Sequence, residues 1–178
     1  MAAAEAVWNE NAESGKMTLV DRWNYHNELG AQFSLASLRV VYSKAGTLPA
    51  ACLVRDQSVI DHKLYWWAAP SENEALYLAA ILNSETARSR TASLQSRGQW
   101  GARDFDKVIF TPAIPRFDGA SSLHTDLANA AREAEKTASE VVLPEDVRFQ
   151  RARKLIRDAL MKSGDAPRVE KLVARLLG

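Results

Sequence analysis

Val59-Ile-Asp-His-Lys-Leu-Tyr-Trp-Trp-Ala68, followed across Ala69-Pro70 by Ser71-Glu-Asn-Glu-Ala-Leu-Tyr-Leu-Ala-Ala-Ile-Leu-Asn-Ser84, is the stretch that decides the fold class. Its first part is rich in β-branched and aromatic side chains. Ile60, His62, Leu64 and Trp66 alternate there with Asp61, Lys63, Tyr65 and Trp67, which predicts a strand with one mostly apolar and one amphipathic face. In its second part Ser71 and Glu74 form a capping box just after Pro70, and Ala75, Leu78, Ala79, Leu82 and Thr86 recur at helical spacing. The spacing predicts a helix from Glu72 to about Thr86. Upstream, Leu38 to Tyr42 and Ala50 to Val54 have the same strand composition and are separated by Ala45-Gly46-Thr47-Leu48-Pro49 and by Arg55-Asp56-Gln57. Short turns between strands favour antiparallel pairing. The expected class is α/β (α+β): a twisted, mostly antiparallel set of strands packed with helices, followed by a C-terminal helical element.

Further outward, Ser93 to Arg103 has two glycines and no apolar period and reads as a loop, with a short strand at Lys107 to Thr111 stopped by Pro112 and Pro115. Leu123, Leu127, Ala130, Ala131, Ala134, Ala138 and Val141 mark a second helix. Pro144-Glu145-Asp146 is a start signal for a third, which Gly164 ends after about Lys162. Val169, Leu172, Val173 and Leu176 mark a fourth. The first 17 residues have little periodicity and read as a frayed or weakly helical arm. The expected organisation is therefore an arm over 1–17, an α/β domain over 18–143 and a helical pair over 144–178.

At 178 residues and 19.7 kDa the chain is the size of one domain, and 47% hydrophobic with 25% charged residues excludes disorder as its main state. Cys52 is the only cysteine, so neither an intrachain disulfide nor a thiolate metal cluster can form. The longest apolar run, Ala75 to Leu82, is far short of the roughly 20 residues that span a bilayer, and the opening carries acids where a signal peptide carries bases. A cytoplasmic protein without a membrane partner is expected. The formal net charge is +1, but four arginines and one acid lie between Glu85 and Arg103, and nine bases face five acids from Glu145 onward. Any anion-binding surface is therefore local.

The sequence has no glycine-rich turn after a strand for S-adenosylmethionine, no Pro-Pro element, no Walker loop, no Gly-x-Ser-x-Gly elbow and no His-Glu-x-x-His pair. One catalytic pattern is present. Asp61-His62-Lys63 is half of a magnesium-nuclease signature, in which carboxylates hold the metal and the lysine supports the attacking water. The competing reading of the same residues is a polar strand face carrying an ion pair or a DNA contact.

Three further runs form an ordered set: Glu74-Ala-Leu-Tyr-Leu-Ala-Ala-Ile-Leu-Asn-Ser84, then Leu94-Gln-Ser-Arg-Gly-Gln-Trp-Gly-Ala-Arg-Asp-Phe-Asp-Lys107, then Thr111-Pro-Ala-Ile-Pro-Arg-Phe-Asp118 with Leu123-His124 opening a helix. Between about Ala31 and Val141 the chain resembles the C-terminal target-recognition region of adenine N-6 DNA methyltransferases, including those fused into restriction-modification polypeptides. It is more distantly similar to the recognition domains of type I restriction specificity subunits. Where that family has Leu-Pro-Ile-Pro, this chain has Thr111-Pro-Ala-Ile-Pro115. The resemblance implies a module that binds duplex DNA for a methyltransferase or restriction module. On that resemblance no catalytic centre or cofactor is expected in this chain, which is then a separate recognition polypeptide or a piece of a larger enzyme, with S-adenosylmethionine bound elsewhere.

The residue chemistry of the loop agrees. Arg88, Arg90, Arg97 and Arg103 offer guanidinium forks to phosphates or guanine edges, Gln95 and Gln99 can pair with adenine, and Trp100 sits between Gly98 and Gly101. Lys63, with Arg55 and His62, sits on or beside the strands, where each either extends that surface or is a solvated or ion-paired strand residue. The bland alternative is a solvated helix end with Trp100 folded back on the core. In the C-terminal pair, Arg148, Arg151, Arg153, Lys154 and Arg157 make a basic face and Phe149, Ala152, Ile156, Ala159 and Leu160 an apolar one. Solvated charge over a core stripe, phosphate contact and docking to a partner subunit all fit that pattern, so an assembly module of the same kind of system is the alternative function.

Overall fold

The computed structural model describes residues 2–12, 17–44, 50–61, 63–94, 97–98, 101–102, 110 and 113–178, with the backbone alone at 97–98 and 101–102. Its centre is a three-stranded antiparallel sheet in the order β2-β1-β3, built from β1 (Arg39–Ser43), β2 (Ala51–Val54) and β3 (Leu64–Ala68). In the middle strand, Val40 faces Leu53 on one side and Trp67 on the other, and Tyr42 faces Ala51 and Tyr65. Residues two apart share a face, so Val40, Tyr42, Leu53, Tyr65 and Trp67 form one apolar surface. Ala75, Ala79 and Leu82 of α3 (Glu72–Leu82) lie on that surface.

Helix α3 is buried almost all round, as a helix apolar on every face must be. Opposite the sheet, Leu76, Tyr77, Ala80 and Ile81 pack against Leu127, Ala128, Ala130 and Ala131 of α5 (Ser122–Ser139) and Leu172 and Val173 of α7 (Asp165–Leu177). The fold is thus α+β, with α3 sandwiched between the sheet and the later helices. The last helix belongs to the same core as α3. Between α5 and α7, α6 (Phe149–Ser163) packs on both but buries no residue fully.

Three elements differ from the sequence expectation. The helix predicted to Thr86 ends at Leu82, because the Asn83 side chain turns to bond both the N–H and the carbonyl of Ala51 at 2.9 Å, and Ser84 caps a new helix, α4 (Glu85–Ala92), by accepting the Ala87 N–H. The strand predicted from Val59 begins only at Leu64. Asp61 Oδ1 accepts the Lys63 N–H at 2.8 Å, an Asx turn that breaks the alternation, and the inward positions become Tyr65 and Trp67 rather than Leu64 and Trp66. The third helix starts at Phe149, since Glu145 and Asp146 form a turn in which Asp146 has φ 57°.

The N-terminal arm contains a helix, α1 (Ala2–Asn11), with no buried residue. A short helix α2 (Leu19–Trp23) follows, opened by a Thr18–Asp21 capping box that holds the Asp21 carboxyl below its usual range. Leu19 is its buried anchor. After α4, Arg97–Gly98 (β4) pairs antiparallel with Gly101–Ala102 (β5), so the predicted loop includes a minimal β-ribbon. The strand expected at Lys107 to Thr111 lies outside the described residues except for Phe110, whose ring meets Tyr42 edge-on at 5.7 Å.

Candidate nucleic-acid interface

The segment carrying the predicted contacts runs from α4 through the β4–β5 ribbon. Its base is fixed by tertiary bonds. Glu170 of α7 accepts the N–H groups of Glu85 and Thr86 at 2.9 and 2.8 Å, and its Oε1 also takes the Thr86 hydroxyl. A carboxylate there satisfies two of the free donors at the helix start and complements its positive end. Ala87 and Thr91 bury the inner side of α4, which leaves its arginines outward.

Four of the eight predicted residues, Lys63, Arg88, Arg90 and Arg97, fall among the described ones. Arg88 is half-buried and forms an ion pair with Glu85 one turn earlier, which holds the Glu85 carboxyl below its ordinary range. Arg90 is exposed and donates to the Gly178 carbonyl at the end of α7. The backbone of Arg97 is on β4, opposite Ala102, and Gly98 is opposite Gly101. Gln95, Gln99, Trp100 and Arg103 lie outside the described residues. Lys63 is exposed at the turn before β3, and His62 lies outside the described residues. The structure therefore places Arg88 and Arg90 on α4, the Arg97 backbone on β4 and Lys63 at the turn before β3.

Arg55 does not extend this surface. Its guanidinium donates to Glu135 at 2.8 and 2.7 Å and to Glu72 at 3.1 and 2.8 Å, and these bonds, led by those to Glu135, hold it firmly in the charged form. It is a clamp joining the end of β2 to α3 and α5. Of the two readings of Arg55, DNA contact or ion pair, the ion pair is the one formed, with a partner, Glu135, 80 residues away.

The Asp61–Lys63 pair is built as a turn. Asp61 lines a shallow cleft with Glu28, Gln32 and Trp66, and a second one with Glu28, Trp23 and Tyr25. Among the described residues no group of three or more His, Cys, Asp or Glu side chains converges as a metal site. Behind the turn, the buried Gln32 amide donates to the Ile60 carbonyl at 2.7 Å and accepts the Ile60 N–H at 2.9 Å. Arg39, fully buried on β1, donates to the carbonyls of Asp56 and Ser58 at 2.9 and 2.7 Å. Sequence reading missed both, because a polar residue inside a strand or loop carries no mark of which distant carbonyl it will meet.

No helix among the described residues is long and apolar enough to cross a membrane. No protein-family model matches this sequence, and no curated protein matches it.

Proposed function

We propose that this chain is a DNA target-recognition module of a restriction-modification or DNA methyltransferase system, binding duplex DNA for a methylase module outside it. The observation that carries this reading is the glycine-bracketed pairing of Arg97–Gly98 with Gly101–Ala102, which comes next in the chain after an arginine-bearing helix whose start is anchored to α7. A two-stranded ribbon is narrow enough for the major groove, and glycine next to its tip lets backbone approach base edges closely. The ordered sequence resemblance supports the same reading. In it, Arg97 and Arg103 contact phosphate or guanine, Gln95 and Gln99 discriminate bases at ~1–3 kcal/mol per good bidentate pair, and Trp100 packs against the duplex.

The test is duplex binding as a function of salt. Each phosphate contact contributes a slope of about −0.9 in log K against log salt, and four or five contacts are expected. Arg97→Ala with Arg103→Ala should flatten the slope by about 2. A slope unchanged in that double variant rules out the loop as the contact.

A further inference from the structure

The C-terminal helical hairpin holds a second cationic surface that the loop reading does not use. Residues 147–178 contain nine bases and three acids, a formal charge of +6, whereas residues 1–146 contain fourteen bases and nineteen acids, a formal charge of −5. The fold sharpens that separation by committing all three acids of the hairpin internally. Asp158 pairs with Lys154 at 2.6 Å. Asp165 accepts the Ser163 and Thr137 hydroxyls at 2.6 Å each, which together with the neighbouring Arg168 hold its carboxyl below its ordinary range. Glu170 is turned inward to cap α4.

What remains on the outer side of α7 is Pro167, Arg168, Lys171, Ala174 and Arg175, all exposed. Arg168, Lys171 and Arg175 stand at i, i+3 and i+7, one stripe along the helix. At 1.5 Å rise per residue the stripe is roughly 10 Å long. One DNA strand presents about three phosphates over that length, at 3.4 Å of helix axis each. The stripe holds no acid and no large apolar side chain, so it lacks the apolar centre on which protein–protein interfaces are built. Arg90, on the segment that leads into the ribbon, donates to the carbonyl at the end of this same helix.

We infer that the Arg168–Lys171–Arg175 stripe of α7 is a second, sequence-independent contact to the phosphate backbone of duplex DNA. On the neighbouring α6, Arg151, Arg157 and Lys162 are likewise exposed and without a carboxylate partner among the described residues. This rests on the DNA-binding reading but on different residues, so the two can fail separately.

The experiment measures binding of the full chain to a short fluorescent duplex of arbitrary sequence across a salt series. It compares the parent, Arg168→Gln/Lys171→Gln/Arg175→Gln, the Arg97→Ala/Arg103→Ala pair, and the charge-preserving Arg168→Lys/Arg175→Lys. All three stripe positions are exposed, and unchanged helicity confirms the fold. The glutamine variant should flatten the salt slope by about 2 to 3 and weaken different duplexes equally, while the lysine variant keeps the parent slope. That result supports the stripe even if the loop pair has no effect, in which case the recognition loop fails and the stripe stands. A parent slope retained by the glutamine variant overturns the stripe, whatever the loop pair does. Parent protein that binds phosphatidylserine vesicles or an acidic protein through these residues but no duplex also overturns it.

Discussion

Glu170 on α7 accepts the backbone N–H of Thr86 on α4 at 2.8 Å, so the helix that leads into the candidate recognition ribbon is capped by a side chain 84 residues away. Helix α4 has only eight residues, and isolated helices that short are marginal. Its existence depends on the Ser84 cap, the burial of Ala87 and Thr91, and this carboxylate. The same contact removes one acid from the surface of the cationic hairpin. One interaction thus both stiffens the base of the ribbon and leaves the α7 stripe positive.

Glu170→Ala should cost about 1–2 kcal/mol, the range for losing a helix cap that also carries charge. The loss should be local as well as global. Hydrogen exchange at Glu85 to Arg88 should accelerate more than at α3, and Glu170→Gln, which keeps one acceptor but no charge, should fall between. Uniform acceleration over both helices would show that the carboxylate serves packing rather than capping.

Arg39 is the counterpart on the other side of the sheet. A fully buried guanidinium is costly unless its donors are used, and here Nη2 donates to the carbonyls of Asp56 and Ser58 while Nε and Nη1 find no partner among the described residues. Arg39→Met removes the buried charge with its unpaired donors but strands two carbonyls in an exposed segment that water reaches in part, so the net loss should be no more than about 1 kcal/mol. The segment from Arg55 to Ile60 should also become more open to limited proteolysis. A variant as stable as the parent, with that segment equally protected, would contradict this account.

These cases mark what the sequence could disclose. Local pattern placed strands over Leu38 to Tyr42 and Ala50 to Val54, each within one residue of the observed Arg39–Ser43 and Ala51–Val54, and helices around Ala75–Leu82, Leu123–Ala138 and Val169–Leu176, because each face is written locally in residues two or three to four apart. It overran at Thr86 because Asn83 and Ser84 act through a bond to Ala51 and a cap, neither of which interrupts the apolar pattern. The fate of individual charges was illegible for a different reason. Whether Arg55, Glu170 or Asp165 faces water or a partner is fixed by Glu135, Thr86 and Thr137, each 28 or more residues distant in the chain. An arginine count identifies a basic region, while the acids that neutralise it are assigned only by the fold.

Arg55 gives a direct check on that point. Because Glu135 and Glu72 already hold its guanidinium, Arg55→Met should leave the affinity for duplex DNA and its salt slope unchanged. Stability should fall by no more than about 1 kcal/mol, since both pairs are exposed and screened. Adding salt should shrink even that difference. A flattened salt slope would place Arg55 on the DNA surface and break the clamp assignment.

Tyr77 supplies the pH-dependent test of the core. Its ring packs between α3 and the Ile114–Phe117 segment, its hydroxyl donates to the Pro115 carbonyl at 2.9 Å, and burial pushes its pKa from 10.0 up to about 12. The folded state therefore resists deprotonation that the unfolded chain accepts. Its contribution is fully present below pH 10 and is lost as pH rises from 10 towards 12. Tyr77→Phe removes the hydrogen bond and should cost about 1 kcal/mol at neutral pH. It also removes the titration, so urea midpoints of parent and variant should converge above pH 10. Phenolate absorbance of the folded parent should show a high-pH step that Tyr77→Phe lacks. Midpoints that stay parallel through this range would mean that the Tyr77 hydroxyl is open to solvent, and that the Pro115 turn is not held against α3 as described.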